Sequence, residues 1–303
     1  MSSLLNLPLE SFELLTPEAG DRRYYRAKGS DRKTSWLRVE TQTPAPHATA
    51  DWLQSAGVRT PRLGDSSNGN YLVEDLGDLH LSHSPSLEHY INLLCLRKKF
   101  ALHPLHSTHP NAQLALNEEL FLQELTLSSE HQRAPNHLCS LLAEEASLGP
   151  QQIQHRDFHS RNVLILESGE LALIDHQDLR KGPLFYDLAS LWTDAYVEYS
   201  DEVRTLLLDE CFQVGAEAGL EESQSAHHFL MTALQRVVKA LGTFGRLVQS
   251  GREDYRKPEK RALNRARALL SPDRKEDCLH VLPHFVSEWE EWRIFFSQSS
   301  TQP

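Results

Sequence analysis

His155-Arg156-Asp157-Phe158-His159-Ser160-Arg161-Asn162 opens the centre of the chain, and Val163-Leu164-Ile165-Leu166, Glu167-Ser168-Gly169-Glu170, Leu171-Ala172-Leu173-Ile174 and Asp175-His176-Gln177 follow it. Two short apolar runs separated by a Ser-Gly turn predict a β-hairpin, because Gly tolerates positive φ. With a two-residue turn at Ser168-Gly169, Asn162 faces Asp175, and directly opposed residues share a face. An amide oxygen and a carboxylate then meet at the open end of the hairpin. Those are hard oxygen ligands of the kind that hold Mg²⁺ together with phosphates. Asp157 lies five residues before Asn162 in the loop that feeds the first strand. A carboxylate left beside a metal pair is what phosphoryl transfer uses to orient an attacking hydroxyl.

Outward from this centre the chain changes character. Before it, Tyr24–Ala27, Ser35–Val39 and Tyr71–Glu74 read as strands, and Ala48–Ala56 as a short helix closed by Gly57. Helical periodicity runs from Leu87, through 114–130 and 138–148, and returns at 202–218, 223–249, 258–270 and 278–296. The expected fold class is α+β: a small β-rich N-terminal lobe over residues 1–76 and a larger, mostly helical lobe over 77–303. A chain of 303 residues is long for one core, which also favours two lobes.

Composition narrows the function. Lys+Arg number 31 against 42 Asp+Glu, a net charge of −11, which argues against general nucleic-acid binding. No apolar run approaches the ~18 residues of a membrane helix. Met1–Asn6 carries no basic residue and the first Arg is Arg22, so neither a signal nor a transit peptide is expected, and the setting reads as cytoplasmic. Cys95, Cys139, Cys211 and Cys278 have no metal-ligand spacing and read as reduced thiols. His155 and His159 are four apart, but the Glu of a zinc motif is missing and the segment reads as a loop.

His155-Arg156-Asp157 with Asn162 has the H-R-D-x-x-x-x-N spacing of a kinase catalytic loop, and Asp175-His176-Gln177 stands where kinases carry D-F-G. Residues 155–164 and 171–191 together resemble the aminoglycoside phosphotransferase family. Within it they are similar to the bacterial cell-wall amino-sugar kinases, which phosphorylate N-acetylmuramate and N-acetylglucosamine at the anomeric hydroxyl. The likeness extends from about residue 20 to about residue 270, through 21–26, 56–62, 72–77 and 235–247.

The resemblance implies a two-lobed protein-kinase-like fold with ATP at the hinge, Mg²⁺, and a small-molecule acceptor, an amino sugar by preference. It implies Asp157 as catalytic base, Asn162 and Asp175 as metal ligands, and Glu74 and Leu76 offering backbone groups to adenine. Asp187 would brace the catalytic loop and His155 orient it. His159, Arg161, Asp178 and Arg236 are candidates for touching substrate. There is no G-x-G-x-x-G, and Arg38 is the closest match to the phosphate-binding Lys of the third strand. Two other readings stay open: an aminoglycoside, choline-like or amino-alcohol acceptor, and a catalytically silent kinase-like binding protein.

Overall fold

The computed structural model describes residues 5, 7–15, 22–28, 36–67, 69–131, 134–271 and 280–299. Cys278 and the stretch around Gly20 lie outside them. The N-terminal part is a five-stranded antiparallel sheet of β1 (Phe12–Leu14), β2 (Arg23–Ala27), β3 (Trp36–Glu40), β4 (Leu63–Ser67) and β5 (Asn70–Glu74), in the order β1-β2-β3-β5-β4. Val39, Tyr71 and Val73 form its small core, with Tyr24 and Leu37 packed against them. Helix α1 (His47–Ser55) bridges outward: Trp52 and Leu53 belong to the larger core, and Trp52 Nε1 donates to the Pro104 carbonyl at 3.0 Å.

After β5 the chain crosses over. The Ile165 amide donates to the Leu79 carbonyl at 2.8 Å, so residues 79–80 already pair with the central hairpin. The larger lobe then holds α2 (Leu87–Ala101), α3 (Glu118–Glu130), α4 (Asn136–Ser147), α5 (Tyr186–Trp192), α6 (Asp201–Glu217), α7 (Glu222–Gln249), α8 (Arg256–Leu269) and α9 (Val286–Gln298). Ser86, Asn117 and Ser200 cap α2, α3 and α6 by accepting from backbone amides. Helix α7, 28 residues long and buried along most of its length, is the axis of this lobe. Gly242 lets α3 cross it closely, because a Cβ there would stand 2.8 Å from the Ser128 Cα. Ser128 Oγ donates to the Val238 carbonyl at 2.6 Å across the same contact.

The C-terminal helix is tied down by a latch. His227 Nε2 and His284 Nε2 lie 2.9 and 3.1 Å from the two oxygens of Glu145, and the Leu282 amide donates to His227 Nδ1. The three side chains come close enough to suggest a metal site. The donor on Nδ1 places the His227 proton on Nε2, the reverse of what a metal-bound imidazole needs.

The central hairpin forms with a corrected register. β7 (Val163–Ile165) pairs with β8 (Leu171–Leu173) as Val163↔Leu173, one residue off the expected pairing. The loop contains three residues, Glu167-Ser168-Gly169, with Gly169 at φ +83. Such a loop adds one residue to the two-residue turn. Asn162 therefore pairs through its carbonyl with the Ile174 amide, and Asp175 follows at φ +59, where the strand ends. Two short polar strands, β6 (Gln151–Gln154) and β9 (Arg180–Pro183), pair antiparallel beside it.

Candidate active site

The loop from β6 to β7 carries Asp157 and Asn162. Its shape is held by Asp187 at the start of α5, whose carboxylate accepts from the His155 amide at 2.7 Å and the Arg156 amide at 3.1 Å. Asp187 is buried, so these bonds satisfy a group that would otherwise be costly to desolvate. Arg156 adopts φ +80, and this left-handed step lets both amides reach one carboxylate. His155 Nε2 bonds the Ile174 carbonyl at 3.1 Å, tying the loop to the residue before Asp175.

Asp157 lies in this loop beside Asn162, with 31% of its side chain exposed. Two cations of α7 face it: Arg236 Nη2 at 3.7 Å and Lys239 Nζ at 3.9 Å. Burial pushes its pKa up, but Lys239, Arg236 and Arg156 outweigh that and hold it well below the usual carboxylate range. Behind it, Glu124 of α3 gathers Lys239 at 2.8 Å, Arg156 at 3.1 Å and the Gln235 amide at 3.0 Å. Against burial, these cations lower the Glu124 pKa. Arg236 also donates to Tyr186 Oη at 2.8 Å and stacks over that ring.

Asn162 is oriented by its own amide. Nδ2 donates to the Asp157 carbonyl at 2.9 Å and approaches His159 Nε2 at 3.4 Å, so Oδ1 is the atom left for the cleft. Asp175 Oδ1 accepts from Arg22 at 3.1 Å and Gln177 at 2.9 Å. Asn162 and Asp175 both line an interlobe cavity of about 460 Å³. Tyr24, Leu37, Val73, Leu164 and Ile174 give it apolar walls, and Glu74, Leu76 and Gly77 form one edge.

Several sequence expectations are redirected. Arg38 points away from the cleft: alternation along β3 turns Leu37 inward, while Arg38 lies over the Phe12 ring and bonds Asn70 and the Leu7 carbonyl. From the sheet side, the cations that line the cleft are Arg22 and Arg26, from β2 and the residue before it. Arg26 forks onto Asp75 at 2.6 and 2.9 Å and reaches Asp78 at 2.7 Å, clamping the sheet to the hinge. The Glu74 amide is engaged by the Arg62 carbonyl and its carboxylate by Arg59 and Arg62, so only its carbonyl side is available to a ligand.

His159 packs on Tyr196 and supports Asn162. Burial lowers its pKa. Asp178 pairs with Arg156 and Arg180, each within 3.1 Å, and is a scaffold for the loop. Arg161 lies over Tyr196 and lines the cavity, and its carbonyl is bonded by His80 Nδ1 at 2.6 Å. Glu124, Tyr186, Arg22 and Arg26 were not singled out as site residues from the sequence. Glu124 is one acid among several on a helix face, and nothing in its spacing marks it.

A small antiparallel sheet, a hinge and a helical lobe around an H-R-D loop define a kinase-like phosphotransferase fold. Residues 18–222 match the phosphotransferase enzyme family APH, and the chain belongs to that family. It is a phosphotransferase with an alcohol acceptor. Curated relatives include the N-acetylmuramate/N-acetylglucosamine kinase of Pseudomonas aeruginosa, 28% identical, with 76% of this chain and 75% of the relative covered. The protein of the same description from Pseudomonas putida is 26% identical, with 80% and 78% covered. Among solved structures, the choline kinase LicA from Streptococcus pneumoniae superposes with a TM-score of 0.59 at 16% identity, covering 87% of this chain and 94% of that one. None of the helices among the described residues is long and apolar enough to cross a membrane.

Proposed function

We propose that the protein is an ATP- and Mg²⁺-dependent kinase that phosphorylates an acidic amino sugar, N-acetylmuramate above all, at its anomeric hydroxyl. The observation that carries the acceptor class is the pair Arg236 and Lys239 beside Asp157. A choline-like or aminoglycoside cation would need unpaired carboxylates here, and Asp157, Glu124 and Asp178 each already face a cation. An acceptor bearing a carboxylate suits the same pair. The two Pseudomonas relatives support the amino-sugar class.

The cleft fits the nucleotide. Its apolar walls suit a flat base, and Arg22 is within reach of a phosphate tail. Asn162 Oδ1 and the Asp175 carboxylate are hard donors that would hold magnesium, which would supply neutralisation of the phosphate charge. The acceptor oxygen attacks the γ-phosphorus. Its O–P bond forms as the bond to the β-bridging oxygen breaks, ADP leaves, and the hydroxyl proton passes to Asp157. With its pKa depressed, Asp157 is a weak base, so it acts mainly by holding the hydroxyl in line and takes the proton late. A cytoplasmic setting and a division into lobes near residues 76–77 belong to the same proposal.

The test is kcat/KM for N-acetylmuramate, N-acetylglucosamine, choline and kanamycin, in the natural protein and in Lys239→Met. The expected result is turnover of the amino sugars only, with N-acetylmuramate preferred and that preference reduced several-fold in the variant. Preference for choline or kanamycin would refute the acceptor class. An unchanged ratio in the variant would refute the role of Lys239. ATP binding with no transfer to any acceptor would favour the silent binding protein.

A further inference from the structure

On the far side of the catalytic loop, α2, α6 and β6 enclose a second groove of about 480 Å³. Its walls are apolar, from Leu102, Pro150, Ile153, Leu184 and Val214. At its back lies Arg97, which is 2% exposed. Arg97 donates only through Nη2, to the Gln152 side-chain oxygen at 2.7 Å and the Leu184 carbonyl at 3.0 Å, both neutral. Nε is buried without a partner, and Nη1 makes no hydrogen bond. Among the described residues no carboxylate lies within 4.0 Å of this guanidinium.

The contrast with the active site is chemical. Arg156 and Arg236 are also largely enclosed, yet each stands against carboxylates. A buried cation with only neutral partners costs free energy unless an anion reaches it. Asp187 and Glu210 contribute compensation through space, but neither lies within 4.0 Å of the guanidinium, and the Asp187 oxygens are spent on two loop amides. The rim of the groove adds Lys98 and Lys181, while its one acid, Glu217, is engaged by Lys98 and Gln213, each at 3.0 Å. In a chain of net charge −11 this groove is locally positive.

We propose that this groove is a binding site for a small aliphatic carboxylate, with the anionic head on Arg97 and the hydrocarbon along the Ile153, Leu184 and Val214 wall. The dry cationic end fixes the orientation and excludes amines. The apolar wall excludes small hydrophilic anions such as acetate. The site does not depend on the reading of the interlobe cleft, but it touches the same strand: Gln152 holds Arg97, and two residues on, Gln154 accepts from the Asp187 amide at 3.1 Å.

The test is calorimetric titration of the full chain with octanoate, octanol, octylammonium and acetate, repeated with the nucleotide analogue AMP-PNP at saturation. Two variants accompany it: Arg97→Gln, which removes the charge, and Ala218→Trp at the exposed mouth, which fills the groove without altering the core. Circular dichroism and thermal melting check that each is folded. The expected result is one saturable octanoate site, unaffected by AMP-PNP and weakened at least tenfold in either variant, with octylammonium and acetate failing to bind. Absence of saturable octanoate binding, equal binding in the folded Ala218→Trp protein, competition with AMP-PNP, or octylammonium binding as well as octanoate would each overturn the proposal.

Discussion

Asp157 works in a field set by three cations and one neighbouring acid. Arg236 and Lys239 hold it ionised, and Glu124 keeps Lys239 and Arg156 from collapsing onto it. Replacing Asp157 with Asn keeps the shape and removes the proton acceptor. Turnover is expected to fall by about 10²–10⁴-fold, with AMP-PNP affinity unchanged, read by a coupled ADP assay and by titration. Normal turnover in the variant would remove Asp157 from its role. That Asn162 and Asp175 line one cavity was legible in the sequence, because a hairpin brings its two ends together, although their direct pairing was not, because the register is one residue off. That Arg22 rather than Arg38 lines the cavity was not legible, because it depends on which face of β3 turns inward, a property of the whole sheet.

At the scale of elements, the longer helices announced themselves by period, α7 within one residue of its observed start, while the seven-residue α5 was not read. The strands β6 and β9 were not read, because Gln151-Gln152-Ile153-Gln154 and Arg180-Lys181-Gly182-Pro183 lack apolar alternation and are fixed by pairing with each other. The hairpin register slipped because Gly169 serves as the third residue of a loop rather than the second of a turn. Gly242 shows packing overruling propensity. Gly→Ala inside a helix ordinarily gains about 1 kcal/mol. Here the new methyl would meet Ser128 backbone at 2.8 Å, and overpacking of that kind costs about 1–3 kcal/mol. Gly242→Ala is therefore expected to lower the urea midpoint, and Ser128→Ala alongside it is not expected to restore it. A stabilised Gly242→Ala protein would contradict the α3–α7 contact.

Across the whole molecule, buried histidines link stability to pH. His176, 4% exposed and bonded to Thr49 Oγ1, has its pKa pushed down to about 3 by burial, with His155 and Arg22 adding to the effect. Burial likewise lowers His80, His159, His227 and His228. An unfolded histidine titrates near ~6.5. Below that pH the unfolded chain binds protons that the folded chain refuses, so the stabilisation is complete above ~6.5 and is lost as pH falls toward the folded value. The urea midpoint is expected to drop between pH ~7.5 and ~5, with a shallower drop in His176→Gln. Equal midpoints at the two pH values would contradict the burial of these rings.

Asn162 and Asp175 line the interlobe cavity, and Asp157, whose backbone carbonyl holds the Asn162 amide, faces Arg236 and Lys239. The most direct test of this account is phosphorus NMR of the product formed from ATP, Mg²⁺ and N-acetylmuramate. The expected products are ADP and a single acid-labile anomeric phosphate on the sugar, absent with Asp157→Asn. A phosphate on any other hydroxyl, or no sugar phosphate while ATP binds normally, would contradict it.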